Sequence, residues 1–594
     1  MGRWAIAMGM CLGACCLACQ CVHAVTPESL VDPARYLVDD VDPARHALAA
    51  EVARFDEDWG LLSRQTFEAP AAAGIAARQA MLAAWRERLQ AVDFAALALD
   101  DQIDYLLLAG HLDFTAKQLA REQQRLEQLA SVAPFAETVE QFVADRAANR
   151  SVDARAAATQ LDKLAAAIDA AAAKWKADEI AVPAELAPEA VRRVRHLSRQ
   201  FAAWRRFYDQ YDPAFTWWTK APAARVEQAL DDYVKLVREK LIGDDDDRLV
   251  GMPIGREALL DSLQHEMIPY TPEELCQIAE QELAWCRVEY KQAANEMGLG
   301  DDWRAALERV STLHEEPGGQ PALIAELAQE AIDFLDARDL VTIPPLCRDG
   351  WRMTMMSPER QRVNPYFTGG EVISVSFPTA DMVHADKLMS LRGNNRHFAR
   401  ATVHHELIPG HHLQIFMADR YRPHRKLFRT PFLVEGWALY WEMLLWDEGF
   451  AGSPEDRVGM LFWRSHRCAR ILFSLQYHLG EMSAEEAVDF LVEQIGHEPR
   501  NARAEVRRSI EGSYDPLYQA AYMLGGLQLR ELSRELIGTG QMTPREFHDA
   551  VLRENSIPVA MIRASLTDEP LTRDYQCDWR FYELAAESET PRED

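Results

Sequence analysis

From about residue 40 to 240 the chain is rich in Ala, Leu, Glu, Arg and Gln, and its apolar positions recur every third or fourth residue. Leu161, Leu164, Ile168, Ala171 and Trp175 form one such row. That period places them on one helix face and predicts long packed helices. The Ala-rich stretch from Ala156 to Ala173 keeps the same Leu and Ile period with Asp and Lys between, so it reads as helix rather than linker. Strand-like alternation is confined to Val372 through Phe377, with Leu340 to Ile343 a second short candidate. The expected fold is mainly α, a large multi-helix assembly with a small β-sheet and a deep groove. Trp217-Trp218 reads as part of the core.

At 594 residues the chain is long enough for more than one lobe. Gly243 followed by Asp244, Asp245, Asp246 and Asp247 is the clearest boundary, since four like charges repel one another in any compact element. The run lacks the ligand spacing of a calcium loop and reads as a solvated loop. The expected division is a signal peptide over 1–24, a helical N-terminal region over 25–243, and a helical catalytic region with the small sheet over 244–594. A composition of 48% hydrophobic and 26% charged residues is that of a globular chain and excludes fibrous and disordered classes. Sixty-four basic against 93 acidic residues give a net charge of −29, which repels phosphate backbones and anionic lipid headgroups and argues against nucleic acid as a partner.

The first residues read as an address. Arg3 precedes an apolar run through Trp4, Ile6, Met8, Met10 and Leu12 that is too short to span a bilayer and suits a secretory signal. Two processing sites compete: Leu12-Gly13-Ala14-Cys15 resembles a bacterial lipobox, and Val22-His23-Ala24 an ordinary cleavage site. The protein is expected outside the cytoplasm, periplasmic or envelope-anchored, with any membrane contact made through an N-terminal lipid anchor. Cleavage after Ala24 leaves Cys276, Cys286, Cys347, Cys468 and Cys577, an odd set that does not suit a disulfide framework.

Chemistry concentrates in His404-His405-Glu406-Leu407-Ile408-Pro409-Gly410-His411-His412, where four of the seventeen histidines fall together. A zinc hydrolase needs two neutral imidazoles converging on one ion, and a carboxylate beside the first to take a proton from the activated water. His405 and Glu406 begin that pattern, but the usual second histidine, four residues on, is replaced by Pro409. On a regular helix His411 would lie about 120° away from His405, and His412 would be co-facial but about 10.5 Å along the axis. Pro409 cannot donate to the His405 carbonyl and Gly410 is conformationally free, so the helix is expected to bulge or break there. A two-residue bulge would bring His411 beside His405. The alternative pairings use His404 or His412.

A third ligand is expected from Phe432-Leu433-Val434-Glu435-Gly436-Trp437-Ala438-Leu439-Tyr440-Trp441-Glu442. Thr430-Pro431 signals a helix start, which puts Glu435 on an early turn of an apolar helix. Glu442, two turns on, is expected either to orient a histidine or to mark the helix exit. Glu435 is the preferred ligand. Other His-Glu pairs, His265-Glu266, His314-Glu315 and His497-Glu498, have no second histidine at usable spacing.

The sequence resembles the bacterial domain of unknown function 885, whose members look like metallopeptidases. The resemblance rests on the run from His405 to Gln414, on Glu435-Gly436-Trp437-Ala438-Leu439-Tyr440, and on Tyr514 through Gly525. The second motif is similar to the helix that supplies the glutamate ligand in zinc aminopeptidases of the gluzincin group. The resemblance implies a metallopeptidase-like fold with the sheet beside the zinc helix, one Zn2+ on His405, His411 and Glu435, and Glu406 as general base. It points to Tyr522 as the donor to the developing oxyanion and, among Arg503, Arg507 and Arg508, to Arg508 as a substrate contact. Gly369-Gly370 and the strand after it are expected to hold an extended peptide or to form a buried hairpin. The expected function is zinc-dependent hydrolysis of short peptides outside the cytoplasm. The alternative is a non-catalytic metal- or peptide-binding envelope lipoprotein.

Overall fold

The row Leu161, Leu164, Ile168, Ala171 and Trp175 lies buried along one face of helix Ala154–Lys176. Asp153 starts that helix, its carboxylate accepting the amides of Arg155 and Ala156. The structure, a computed structural model, describes residues 47–67, 70–244, 248–361, 366–511 and 514–584. The expected signal peptide with both candidate processing sites, and Asp245 to Asp247, lie outside the described residues. Among the described residues there are 23 α-helices and one two-stranded sheet, so the protein is mainly α.

Helices Ala136–Ala147, Ala154–Lys176, Ala187–Tyr208 and Pro213–Leu241 enclose one apolar core running from Leu129 to Val237, a satellite bundle. The three helices before it, from Ala47 to Gln128, pack elsewhere: Val52, Phe55, Ile103 and Leu108 share a core with Trp437, Trp441, Leu529 and Phe547. A further core joins helices Pro272–Glu296, Pro454–Leu479 and Tyr518–Leu536. A cleft of about 690 Å³ lies between the satellite, the preceding helices and Met252 to Ser262; it holds none of the predicted site residues.

Trp217 and Trp218 are 80% and 42% exposed, against the expectation of core. Helix Pro213–Leu241 buries Phe215, Thr219, Pro222 and Val226, a stripe on which positions 217 and 218 do not fall. The Arg155 guanidinium covers the Trp218 ring at 4.6 Å.

Strand Arg352–Met355 pairs in parallel with Val372–Val375, Met353 opposite Ile373. Ile373 and Val375 are fully buried and pack on Ala399, Val403 and Leu407, so the sheet stands beside the histidine helix. The strand ends before Phe377 because the Ser376 hydroxyl and the Phe377 amide both donate to the Gln361 side chain, at 2.9 and 3.0 Å. Leu340 to Ile343 forms no strand. The Thr342 amide and hydroxyl are taken by Asp549, at 2.9 and 2.6 Å, and Pro344 follows.

Candidate metal centre

Helix Arg396–Glu406 starts on Asn395, whose side chain accepts the amides of His397 and Phe398, and ends directly after the His405-Glu406 pair. The chain turns through Leu407, Ile408, Pro409 and Gly410 and restarts as helix His411–Ala418. The helix therefore breaks rather than bulges. The Gly410 amide donates to the His404 carbonyl, and a Cβ at Gly410 would stand 1.8 Å from the His405 carbonyl oxygen, so only glycine lets the chain fold back on the helix end. The corner is fastened to helix Pro431–Asp447 by the Trp437 indole, which donates to the Pro409 carbonyl at 2.8 Å, and by Gln414, which donates to the Leu433 carbonyl at 3.0 Å.

Helix Pro431–Asp447 begins as Thr430-Pro431 signals, with the Thr430 hydroxyl accepting the Phe432 amide. It crosses helix Tyr518–Leu536 at glycines: a Cβ on Gly436 would lie 2.6 Å from the Gly525 Cα, and one on Gly525 would lie 1.8 Å from the Phe432 carbonyl oxygen. Main chain meets main chain there, one residue beyond Glu435. That close approach brings the tyrosines of one helix to the carboxylate of the other.

The break sets the His405 and His411 rings 4.8 Å apart and perpendicular. Glu435 Oε2 lies 3.2 Å from His411 Nε2 and 3.6 Å from His405 Nε2. Its other oxygen accepts the Tyr518 hydroxyl. Behind His405, Nδ1–H donates to Glu442 Oε1 at 2.7 Å, which leaves Nε2 to face the site. His405, Glu406 and His411 also present ligand-type atoms mutually within 4.8 Å. Both carboxylates thus reach the histidine pair, and Glu435 touches it more closely. His412 points away, with Nε2 on the Cys347 carbonyl at 2.8 Å, and His404 is buried against the Phe450 ring.

Burial works against the charge on Glu435, but the nearby His411 and His405 imidazoles prevail and hold its carboxyl well below the usual range. Burial likewise opposes charge on His405, yet its contacts with Glu435 and Glu442 raise it to about 9. Burial dominates at Glu406 and pushes its carboxyl up, against the pull of His411 and His405. The Gly370 amide donates to the Glu406 carbonyl at 3.1 Å, and a Cβ at Gly369 would stand 2.3 Å from Glu406 Cβ. The glycine pair thus packs main chain against Glu406.

The Tyr522 ring lies nearly parallel to that of His405, centroids 6.2 Å apart. Tyr522, Arg508, His405 and Glu406 line one cavity of about 100 Å³. Arg503 and Arg507 turn instead to Glu485 and Glu511. Sequence reasoning missed Arg467, Arg470 and Glu505. Arg464, Arg467 and Arg470 recur at three-residue spacing inside a run from Val458 to Leu475 that is otherwise apolar but for Ser465, His466 and Ser474, a signal that points to buried charge.

Two imidazoles and two carboxylates converging inside a helical shell define a protein with a buried histidine–carboxylate centre, the donor set of a borderline divalent cation. The chain belongs to the family described as bacterial protein of unknown function (DUF885), whose profile matches residues 55–566. Its fold is similar to that of a candidate lipoprotein of unknown function from Shewanella oneidensis, 18% identical, with a TM-score of 0.64 over 87% of this chain and 98% of that one. A candidate lipoprotein from Colwellia psychrerythraea is also similar, 16% identical, with a TM-score of 0.56 over 88% of this chain and 98% of that one. No curated protein matches the chain. No helix among the described residues is long and apolar enough to cross a membrane.

Proposed function

We propose that the protein is a zinc-dependent metallopeptidase that hydrolyses short peptides outside the cytoplasm. The observation that carries this reading is Glu435 Oε2, a buried oxygen without a hydrogen-bond partner, 3.2 and 3.6 Å from two imidazole Nε2 atoms. A buried carboxylate so placed asks for a cation. His405, His411 and Glu435 would hold it, and a bound zinc ion would supply Lewis-acid polarisation of water and of the peptide carbonyl.

Around that centre each side chain has a task. With the ion bound, Glu442 would hold His405 in the tautomer that leaves Nε2 bare, and Tyr518 would hold Glu435 in place. Glu406, its carboxyl raised by burial and set beside His405 and His411, is suited to accept a proton from water. The water oxygen joins the carbonyl carbon, the C–N bond breaks, and Glu406 carries the proton from water to the leaving amine. Tyr522, beside His405, donates to the oxygen on which negative charge develops. The signal-like first 24 residues and the lipoprotein description of the two structural relatives support an envelope location.

Metal analysis of the purified mature protein should find one zinc per chain, and mass spectrometry should find cleaved products in a mixed peptide library. Glu406→Gln should keep the zinc and lower hydrolysis by about 10²- to 10⁴-fold. Tight zinc binding by the wild type with no cleavage anywhere in the library would replace the peptidase by a non-catalytic metal-binding envelope protein.

A further inference from the structure

The cavity beside Glu406 contains more positive charge than the hydrolysis just described requires. Arg467 and Arg470, one turn apart on helix Pro454–Leu479, and Arg508 from helix Pro499–Ile510 line it together with His405 and Glu406. Arg467 and Arg470 are each only 5% exposed. Two carboxylates answer the three guanidinium groups: Glu442 lies 3.5 Å from Arg467, and Glu505 takes Arg470 at 2.7 Å and Arg508 at 2.6 Å. Glu505 also accepts from Gln519 at 3.1 Å, so its capacity is shared three ways. Burial keeps His466 well below its usual range and brings His497 down to about 4, so neither adds charge at neutral pH. Arg467 is the most loosely held of the three: the Glu442 oxygen 3.5 Å from it already serves His405, and its Nε is buried without a hydrogen-bond partner.

The guanidinium groups are also fixed in advance. Arg467 and Arg470 lie over the Tyr522 ring at 5.1 and 4.6 Å, and Arg508 over the Tyr514 ring at 5.4 Å. A planar fork held in this way matches a carboxylate in geometry, and the buried Arg467 Nε is a donor still without an acceptor. At about 100 Å³ the cavity is smaller than the ~300–1,000 Å³ of an ordinary ligand pocket, and suits the end of a chain better than a passing segment.

We propose that this cavity receives the free C-terminal carboxylate of a peptide, which makes the protein an exopeptidase that cuts close to the C-terminus. The proposal rests on the peptidase reading for its cleavage step, but the recognition step stands without it. A carboxylate seated on the arginines gives the buried Arg467 Nε its acceptor, and because Glu406 lines the same small cavity, a bond near the chain end lies at the base.

The test uses one mixed tetrapeptide library made twice, with free C-terminal acids and with C-terminal amides. Wild-type zinc protein should cleave the acids with kcat/KM about 10- to 100-fold above the amides, the fold expected for hydrogen bonds to a charged group. In equilibrium dialysis the Glu406→Gln protein should retain acids and not amides. Arg508→Gln should shrink the acid-to-amide ratio and Arg508→Lys should restore part of it; partial misfolding lowers both libraries and leaves the ratio unchanged. Cleavage of acids and amides alike overturns the proposal while keeping the peptidase. Acid-specific retention without any cleavage overturns the peptidase and keeps the receptor. Retention of neither library, or of both equally, overturns the proposal.

Discussion

Between Leu129 and Val237 the satellite bundle buries, among its described polar and charged residues, only Glu140 and Thr219, whereas the single helix Pro454–Leu479 buries three arginines and two histidines. In the satellite Trp204, Phe201, Phe215 and Leu230 fill the interior, and a buried polar chain runs from the Trp175 indole to the Tyr233 hydroxyl and on to the Val132 carbonyl. Its stability comes from apolar transfer and close packing. The site-bearing helices bury charge at a desolvation cost and offset it by pairing, as in Arg464 with Glu282 and Arg470 with Glu505, each at 2.7 Å. Breaking either partner of such a pair leaves the other uncompensated. The contrast shows where geometry has been given precedence over stability.

The comparison is broken most severely at the ligands. His411→Ala should remove stoichiometric zinc, a loss far beyond the roughly 10- to 100-fold typical of outer contacts, while His412→Ala, whose ring serves the Cys347 carbonyl, should keep most of it. Metal analysis after dialysis decides; the reverse pattern would move the centre to His412. A satellite change tests the other side. Leu164→Ala should cost about 2–5 kcal/mol of stability in denaturant titration and leave zinc content and turnover unchanged. Zinc loss in step with unfolding of the bundle would mean that the two regions are one cooperative unit. The smallest change sharpens rather than breaks the contrast: Glu442→Gln should weaken zinc by about 10- to 100-fold, because His405 keeps a hydrogen-bond partner but loses the charge behind it. Calorimetric titration with zinc measures this, and an unaltered affinity would make Glu442 only a counter-ion for Arg467.

Much of this was legible in the sequence where one short segment carries the whole signal. The helical period marks the buried face of Ala154–Lys176, Thr430-Pro431 marks a helix start, and Pro409-Gly410 marks the break between His405 and His411. The form of that break was not legible, because it depends on Trp437 and Gln414 reaching over from another helix. The arginine cluster was harder still: Arg467, Arg508 and Tyr522 meet only in three dimensions, and an Arg in a helix reads as a solvated face unless its neighbours are known. Periodicity also says that Phe55 is buried without saying against what. Its core partners include Trp437 and Phe547, several hundred residues away.

The crossing of Gly436 and Gly525 has a further consequence for motion. Side chains can rearrange through rotamers, but backbone packed on backbone at this distance has no such freedom, and the two helices separate there together or not at all. Amide hydrogens on both sides of that crossing should therefore exchange only through the rarest openings of the protein, and the satellite amides through openings of their own. Glu435 sits beside the slower of the two clocks. The centre would keep its shape through many openings of the bundle that flanks it.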